Sequence, residues 1–94
     1  MPKGYIVITE DVKDPAGMVE YGKLASTAMA GATLLAFDQK SEVLEGEWHG
    51  TQTVLLEFES AEAARAWYES EDYQKAITLR QAAADCNGVL LHGL

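Results

Sequence analysis

Apolar residues in this chain come in two rhythms. Tyr5-Ile6-Val7-Ile8-Thr9 is a short run of β-branched and aromatic side chains, which predicts a strand. Met18, Tyr21, Leu24, Ala25, Ala28 and Met29 instead recur at helical spacing and define one buried face. Asp14-Pro15 gives that helix a start, an N-cap followed by a proline at N1, where the missing N–H costs nothing. Gly31 is its natural C-cap. Thr33-Leu34-Leu35-Ala36-Phe37 predicts a second strand, residues 38–41 a turn, and residues 42–46 a hairpin arm extending the sheet. Trp48-His49-Gly50 predicts another turn, leading into the longest strand candidate, residues 51–58. Ser60 and Ser70 are N-caps for two successive helices over residues 61–69 and 71–85. Asp85-Cys86-Asn87-Gly88 is expected to end the second, with Asn87 or Gly88 in the left-handed cap conformation. Val89-Leu90-Leu91-His92 is the closing strand.

This order is the split βαβ arrangement of an α+β, ferredoxin-like sandwich, an antiparallel sheet with both helical layers on one face. The strands do not alternate cleanly: Ile6 to Ile8, Leu34-Leu35, Val54 to Leu56 and Val89 to Leu91 are continuous apolar runs. Such runs imply two buried faces, yet the helices roof only one. A bare second face would expose more apolar surface than a soluble monomer tolerates. The expectation is a homodimer whose two sheets pack face to face, each subunit burying on the order of 800 Å².

Length and charge narrow the picture. Ninety-four residues make one domain, expected to span residues 1–94. A folded monomer of this mass should keep about 5,300 Å² of surface. The formal net charge of −8 repels phosphate backbones and anionic bilayers, so neither nucleic acid nor membrane is an expected partner. No run approaches a membrane span or a secretory signal, and a lone cysteine makes no intrachain disulfide. A cytoplasmic protein is the expectation.

Leu44-Glu45-Gly46-Glu47-Trp48, Val54-Leu55-Leu56-Glu57-Phe58, and above all Trp67-Tyr68-Glu69-Ser70-Glu71-Asp72-Tyr73-Gln74 followed by Leu79-Arg80, resemble domain of unknown function family 1330. Gly4-Tyr5 and Asp14-Pro15 fit as well, so the resemblance covers nearly the whole chain. It implies the dimeric α/β-barrel superfamily and no common reaction. Relatives carry an arginine where Thr33 stands, another near Phe37, and a base at Gln52. If those bases hold an anionic group, this chain has lost that feature.

Among residues able to do chemistry, Arg80 stands out. Its neighbours one helical turn away are Ala76, Ile77, Ala83 and Ala84, so its guanidinium emerges on an apolar face. It needs a carboxylate, carbonyls or a ligand anion. Tyr68, Trp67 and Tyr73 suit either a pocket wall or an ordinary core. Arg65, with Glu62 and Glu69 near, belongs to a solvated face. His49 in its turn and His92 on a strand expected to be central are weak candidates for acid–base work. No metal-ligand spacing, phosphate loop or cofactor motif is present, so neither a metal nor a cofactor is expected. Cys86, expected at a helix C-terminus, reads as inert.

Two functions follow. One is a non-catalytic dimer, structural or binding a small molecule. The alternative is a cofactor-free enzyme, monooxygenase- or isomerase-like, acting on a small organic substrate near Arg80.

Overall fold

A computed structural model describes residues 2–94. In chain order the elements are β1 (Gly4–Val12), α1 (Pro15–Ser26), β2 (Thr33–Asp38), β3 (Gln52–Phe58), α2 (Ala61–Glu69), α3 (Glu71–Ala83) and β4 (Ala84–His92). The four strands form one antiparallel sheet in the order β2-β3-β1-β4. This is the expected α+β, ferredoxin-like architecture. The molecule is a slab, 37 × 34 × 16 Å.

Several boundaries differ from expectation, each for a physical reason. β1 runs on through Glu10 and Asp11 because it is central and paired on both sides. Its length draws β4 out to match. The helix expected to reach Asp85 stops at Ala83, and Asp85-Cys86-Asn87-Gly88 becomes strand, opposite Asp11 to Ile8. These four residues have poor β-propensity, and the pairing with β1 overrides it. Neither Asn87 nor Gly88 takes a left-handed conformation. Cys86 therefore lies on a strand.

α1 ends at Ser26, well before Gly31. Ser26 and Thr27 turn their hydroxyls back to the Lys23 and Leu24 carbonyls, offering the backbone another way out of the helix. Gly31, at φ +86°, serves the turn into β2 instead. The arm expected over residues 42–46 is irregular, with no strand beside it to pair. The turn at residues 38–41 does form, closed by the Lys40 amide donating to Asp38 Oδ1 at 2.8 Å. Gly50, at φ +89°, passes so close to Glu10 that a Cβ would sit 2.6 Å from its carbonyl oxygen.

The helices cover one face of the sheet. There Ile6, Ile8, Leu56 and Phe58 meet Ala25, Ala28, Ala64, Trp67, Tyr73, Ala76 and Ile77. By register the opposite face carries Tyr5, Val7, Leu55, Val89 and Leu91, with Thr9, Thr53 and Asn87 at one end. The polar end is occupied by the loop after β2. Trp48 Nε1 donates to Thr53 Oγ1 at 2.9 Å, and His49 Nδ1 lies 2.7 Å from Thr9 Oγ1. The apolar part stays open, with Val89 54% and Leu91 46% exposed.

Candidate functional site

Every second residue of β1 points under the helices, so Ile6, Ile8 and Glu10 share the inner face. Glu10 is thereby driven into the core, where it is only 1% exposed. Its register partner on β3 is Gln52, whose Nε2 donates to Glu10 Oε1 at 2.6 Å. Gln39 Nε2 in turn donates to Gln52 Oε1 at 3.1 Å. Among the described residues no cation lies within ion-pairing distance of Glu10; the ion pairs present, Lys13–Asp11 and Lys23–Glu20, are on the surface.

From the helical side a second polar row comes down. Tyr21 and Tyr73 hydroxyls lie 2.8 Å apart, and Arg80 Nη1 donates to the Tyr73 hydroxyl at 3.2 Å. Tyr73 also stacks on Trp67, centroids 3.9 Å apart, and Trp67 Nε1 is anchored on the Ala28 carbonyl. Burial pushes the Tyr73 hydroxyl well above the ordinary tyrosine range and raises that of Tyr21, so both stay protonated near neutral pH. Burial works against the Arg80 charge, but Tyr73, Tyr21, Cys86 and Glu10 together outweigh it and raise its pKa. Arg80 remains cationic.

This aromatic and polar wall separates two clefts. The larger, about 760 Å³, opens between α1 and the β2–β3 half of the sheet. It exists because α1 does not reach over β2, whose Leu34 and Phe37 stay half exposed. Met18, Met29, Leu34, Phe37 and Val54 give it an apolar lining, with Glu10 and Gln52 among its polar groups. The smaller, about 500 Å³, lies on the far side, between α2, α3 and β4, and has Arg80, Tyr68, Arg65 and Cys86 in its walls.

The four residues singled out for ligand binding are thus neighbours, but they do not share one pocket. Trp67 and Tyr73 face the α1 cleft; Arg80 and Tyr68 line the other. Arg65 makes no ion pair with Glu62 or Glu69 and instead joins the smaller cleft. His49 is fixed against Thr9 on the helix-free side. His92 sits on an edge strand, since β4 is outermost rather than central, beside a shallow groove of about 270 Å³. No group of three metal-ligating side chains occurs among the described residues, nor is any of their helices long and apolar enough to cross a membrane.

Glu10 is not among the candidates the sequence singles out, because it lies just past the strand expected over Tyr5 to Thr9. Its signal was the alternation Ile6, Ile8, Glu10, which puts a carboxylate on the same face as two core isoleucines. Of the three positions where this chain lacks a base, Phe37 and Gln52 fall in the α1 cleft. Thr33 does not.

A domain of unknown function, DUF1330, matches residues 3–94. The chain belongs to the DUF1330 family. No curated protein matches it. Among solved structures it is similar to RPA0582, a protein of unknown function from Rhodopseudomonas palustris, at 18% identity and TM-score 0.78 over 99% of this chain and 83% of that one. A dimeric ferredoxin-like protein of unknown function from Jannaschia sp. CCS1 aligns at 14% identity and TM-score 0.73, covering 95% and 97% of the two chains. SnoaB, a cofactor-independent oxygenase from Streptomyces nogalater, aligns at 12% identity and TM-score 0.69, covering 97% and 92%. At these identities the likeness establishes the fold.

Proposed function

We propose that this DUF1330 chain works as a homodimer, its two sheets packed face to face as a dimeric α/β barrel, and that each subunit binds a small, largely apolar organic molecule in the α1 cleft. The dimer is supported by area. The single chain exposes 6208 Å², about 900 Å² more than a monomer of its mass should, close to one partner's share of a standard interface. Leu44, 91% exposed on the loop that edges the open face, suits a contact reaching across to the partner. The Jannaschia neighbour is described as dimeric. A cysteine left free fits a cytoplasmic setting.

The observation that carries ligand binding is Glu10. A carboxylate enclosed in an apolar cleft, with a neutral amide for partner, costs folding free energy. It is suited to orient a hydroxyl or amide of a bound molecule, while Trp67, Tyr73 and Phe37 supply apolar contact. The absence of bases at Phe37 and Gln52 suits a neutral ligand. Titration of 1-naphthol into the full-length protein, followed by tryptophan fluorescence, tests this. Saturable binding that weakens about tenfold or more in Glu10→Gln is expected; equal binding by both proteins overturns the reading.

A catalytic reading is favoured by the same residue. A buried carboxylate facing a phenolic ligand can accept its proton, and the SnoaB neighbour is a cofactor-independent oxygenase. Oxygen consumption with the naphthol bound, absent in Glu10→Gln, distinguishes an enzyme from a binder.

A further inference from the structure

Arg80 is 4% exposed, yet it donates only one side-chain hydrogen bond among the described residues, from Nη1 to Tyr73. Nε is enclosed and has no hydrogen-bond partner among the described residues. Since Nη1 is taken, the free part of the guanidinium is its side-on fork, Nε and Nη2. Among the described residues no carboxylate lies within ion-pairing distance of it. A buried cation with most of its donors unused is costly unless something arrives to use them. The side chain borders the 500 Å³ cleft between α2, α3 and β4.

We propose that this cleft is a second binding site, independent of the α1 cleft, for a small organic monocarboxylate. The arginine fork matches the two oxygens of a carboxylate in one plane. Ile6 and Leu90 supply an apolar floor for the body of the acid, and Arg65 adds a positive charge at the mouth. Glu69 and Asp85 stand on the same rim, and with the chain's net charge of −8 they penalise a second negative charge on the ligand. That favours a monoanion with an apolar body over a phosphate. Cys86 lies in the same wall as a protonated thiol: burial raises its pKa, with Arg80 opposing. It presents no competing anion.

Benzoate is the probe, with benzamide as its neutral isostere and inorganic phosphate as the alternative anion, each titrated into the ¹⁵N-labelled full-length protein. Benzoate should shift the Arg80 Nε–H resonance and the amides of Tyr68, Cys86 and Leu90. It should bind about 10- to 100-fold more tightly than benzamide, with phosphate weaker than benzoate. Arg65→Glu, an exposed change that leaves the core alone, should weaken benzoate about fivefold. Arg80→Lys, checked for folding by circular dichroism, should weaken it at least tenfold. Shifts centred on the α1 cleft would overturn the inference. So would equal affinity for benzoate and benzamide, tighter binding of phosphate, or indifference to Arg65→Glu.

Discussion

The face-to-face dimer makes a quantitative demand on two residues. Val89 and Leu91 lie on β4, pointing away from the helices, and keep 54% and 46% of their surface exposed in the single chain. Full burial of such side chains is worth about 1.5–3 kcal/mol each, so covering the remaining half contributes about 1 kcal/mol apiece. Two-fold symmetry counts every substitution twice. Val89→Glu with Leu91→Glu therefore removes about 4 kcal/mol from association, close to a thousandfold in Kd. Of the two, Leu91 shares a cross-strand row with Glu57, with Tyr5 of β1 between them. The folded subunit should be little affected, because both side chains already face water. Sedimentation velocity at micromolar protein should show the parent as a dimer and the double variant as a folded monomer, with far-ultraviolet circular dichroism unchanged. A double variant that still sediments as a dimer would refute the placement of the interface on this face.

Other expectations follow from the same packing. Tyr73→Phe removes the hydroxyl that serves both Tyr21 and Arg80, so urea unfolding should show a loss of about 2–4 kcal/mol. Gly4→Ala would put a Cβ 2.5 Å from the Ser60 carbonyl oxygen and 2.6 Å from Ala61 Cα. This backbone crowding at the start of α2 should lower Tm by about 4 °C or more. Stability should also fall in alkali. Tyr21 and Tyr73 have pKa values raised above 10.0 by burial, so above that pH the unfolded chain sheds protons that the native state keeps. Stability is then complete below about pH 10 and declines above it by up to about 1.4 kcal/mol per pH unit for each tyrosine. Tyr73→Phe should flatten that decline in chemical denaturation measured across pH 9–11.

The elements were legible in the sequence where local chemistry decides them. Pro15 at N1 opens α1, and Ser60 and Ser70 accept hydrogen bonds from Ala63 and Tyr73 as expected of N-caps. The end of α3 was not legible, because it is set from a distance. Lys13 and Asp14 amides both converge on the Ala83 carbonyl, and β1 then takes Asp85 to Gly88 as strand, whatever their propensities. The site was legible in part for the same reason. Arg80 announces itself through its alanine neighbours on one helix. Glu10 and Gln52, however, meet only when β1 and β3 pair, at a separation of 42 residues. The division of the aromatic group between two clefts depends on α1 falling short of β2, and residue spacing within a single element holds no record of that.

Glu10 and Arg80 are oppositely charged side chains buried beneath the same helices, close enough for Glu10 to help raise the Arg80 pKa, yet they do not pair. Tyr73 stands between them: it bonds Arg80 on one side and faces the α1 cleft on the other. A domain shaped for stability alone would let the two ions meet or replace both with apolar side chains. Holding them apart leaves each with unused hydrogen-bonding capacity directed at its own cleft, and the single chain bears that cost. Joint replacement, Glu10→Gln with Arg80→Met, keeps an acceptor for Gln52 and leaves Tyr73 bonded to Tyr21. It should raise the unfolding free energy of the unliganded protein by about 1–4 kcal/mol while weakening the binding of naphthol and of benzoate by about tenfold or more each. If the double variant unfolds more easily than the parent in urea, these charges are structural supports, and the account of them as groups held ready for ligands is wrong.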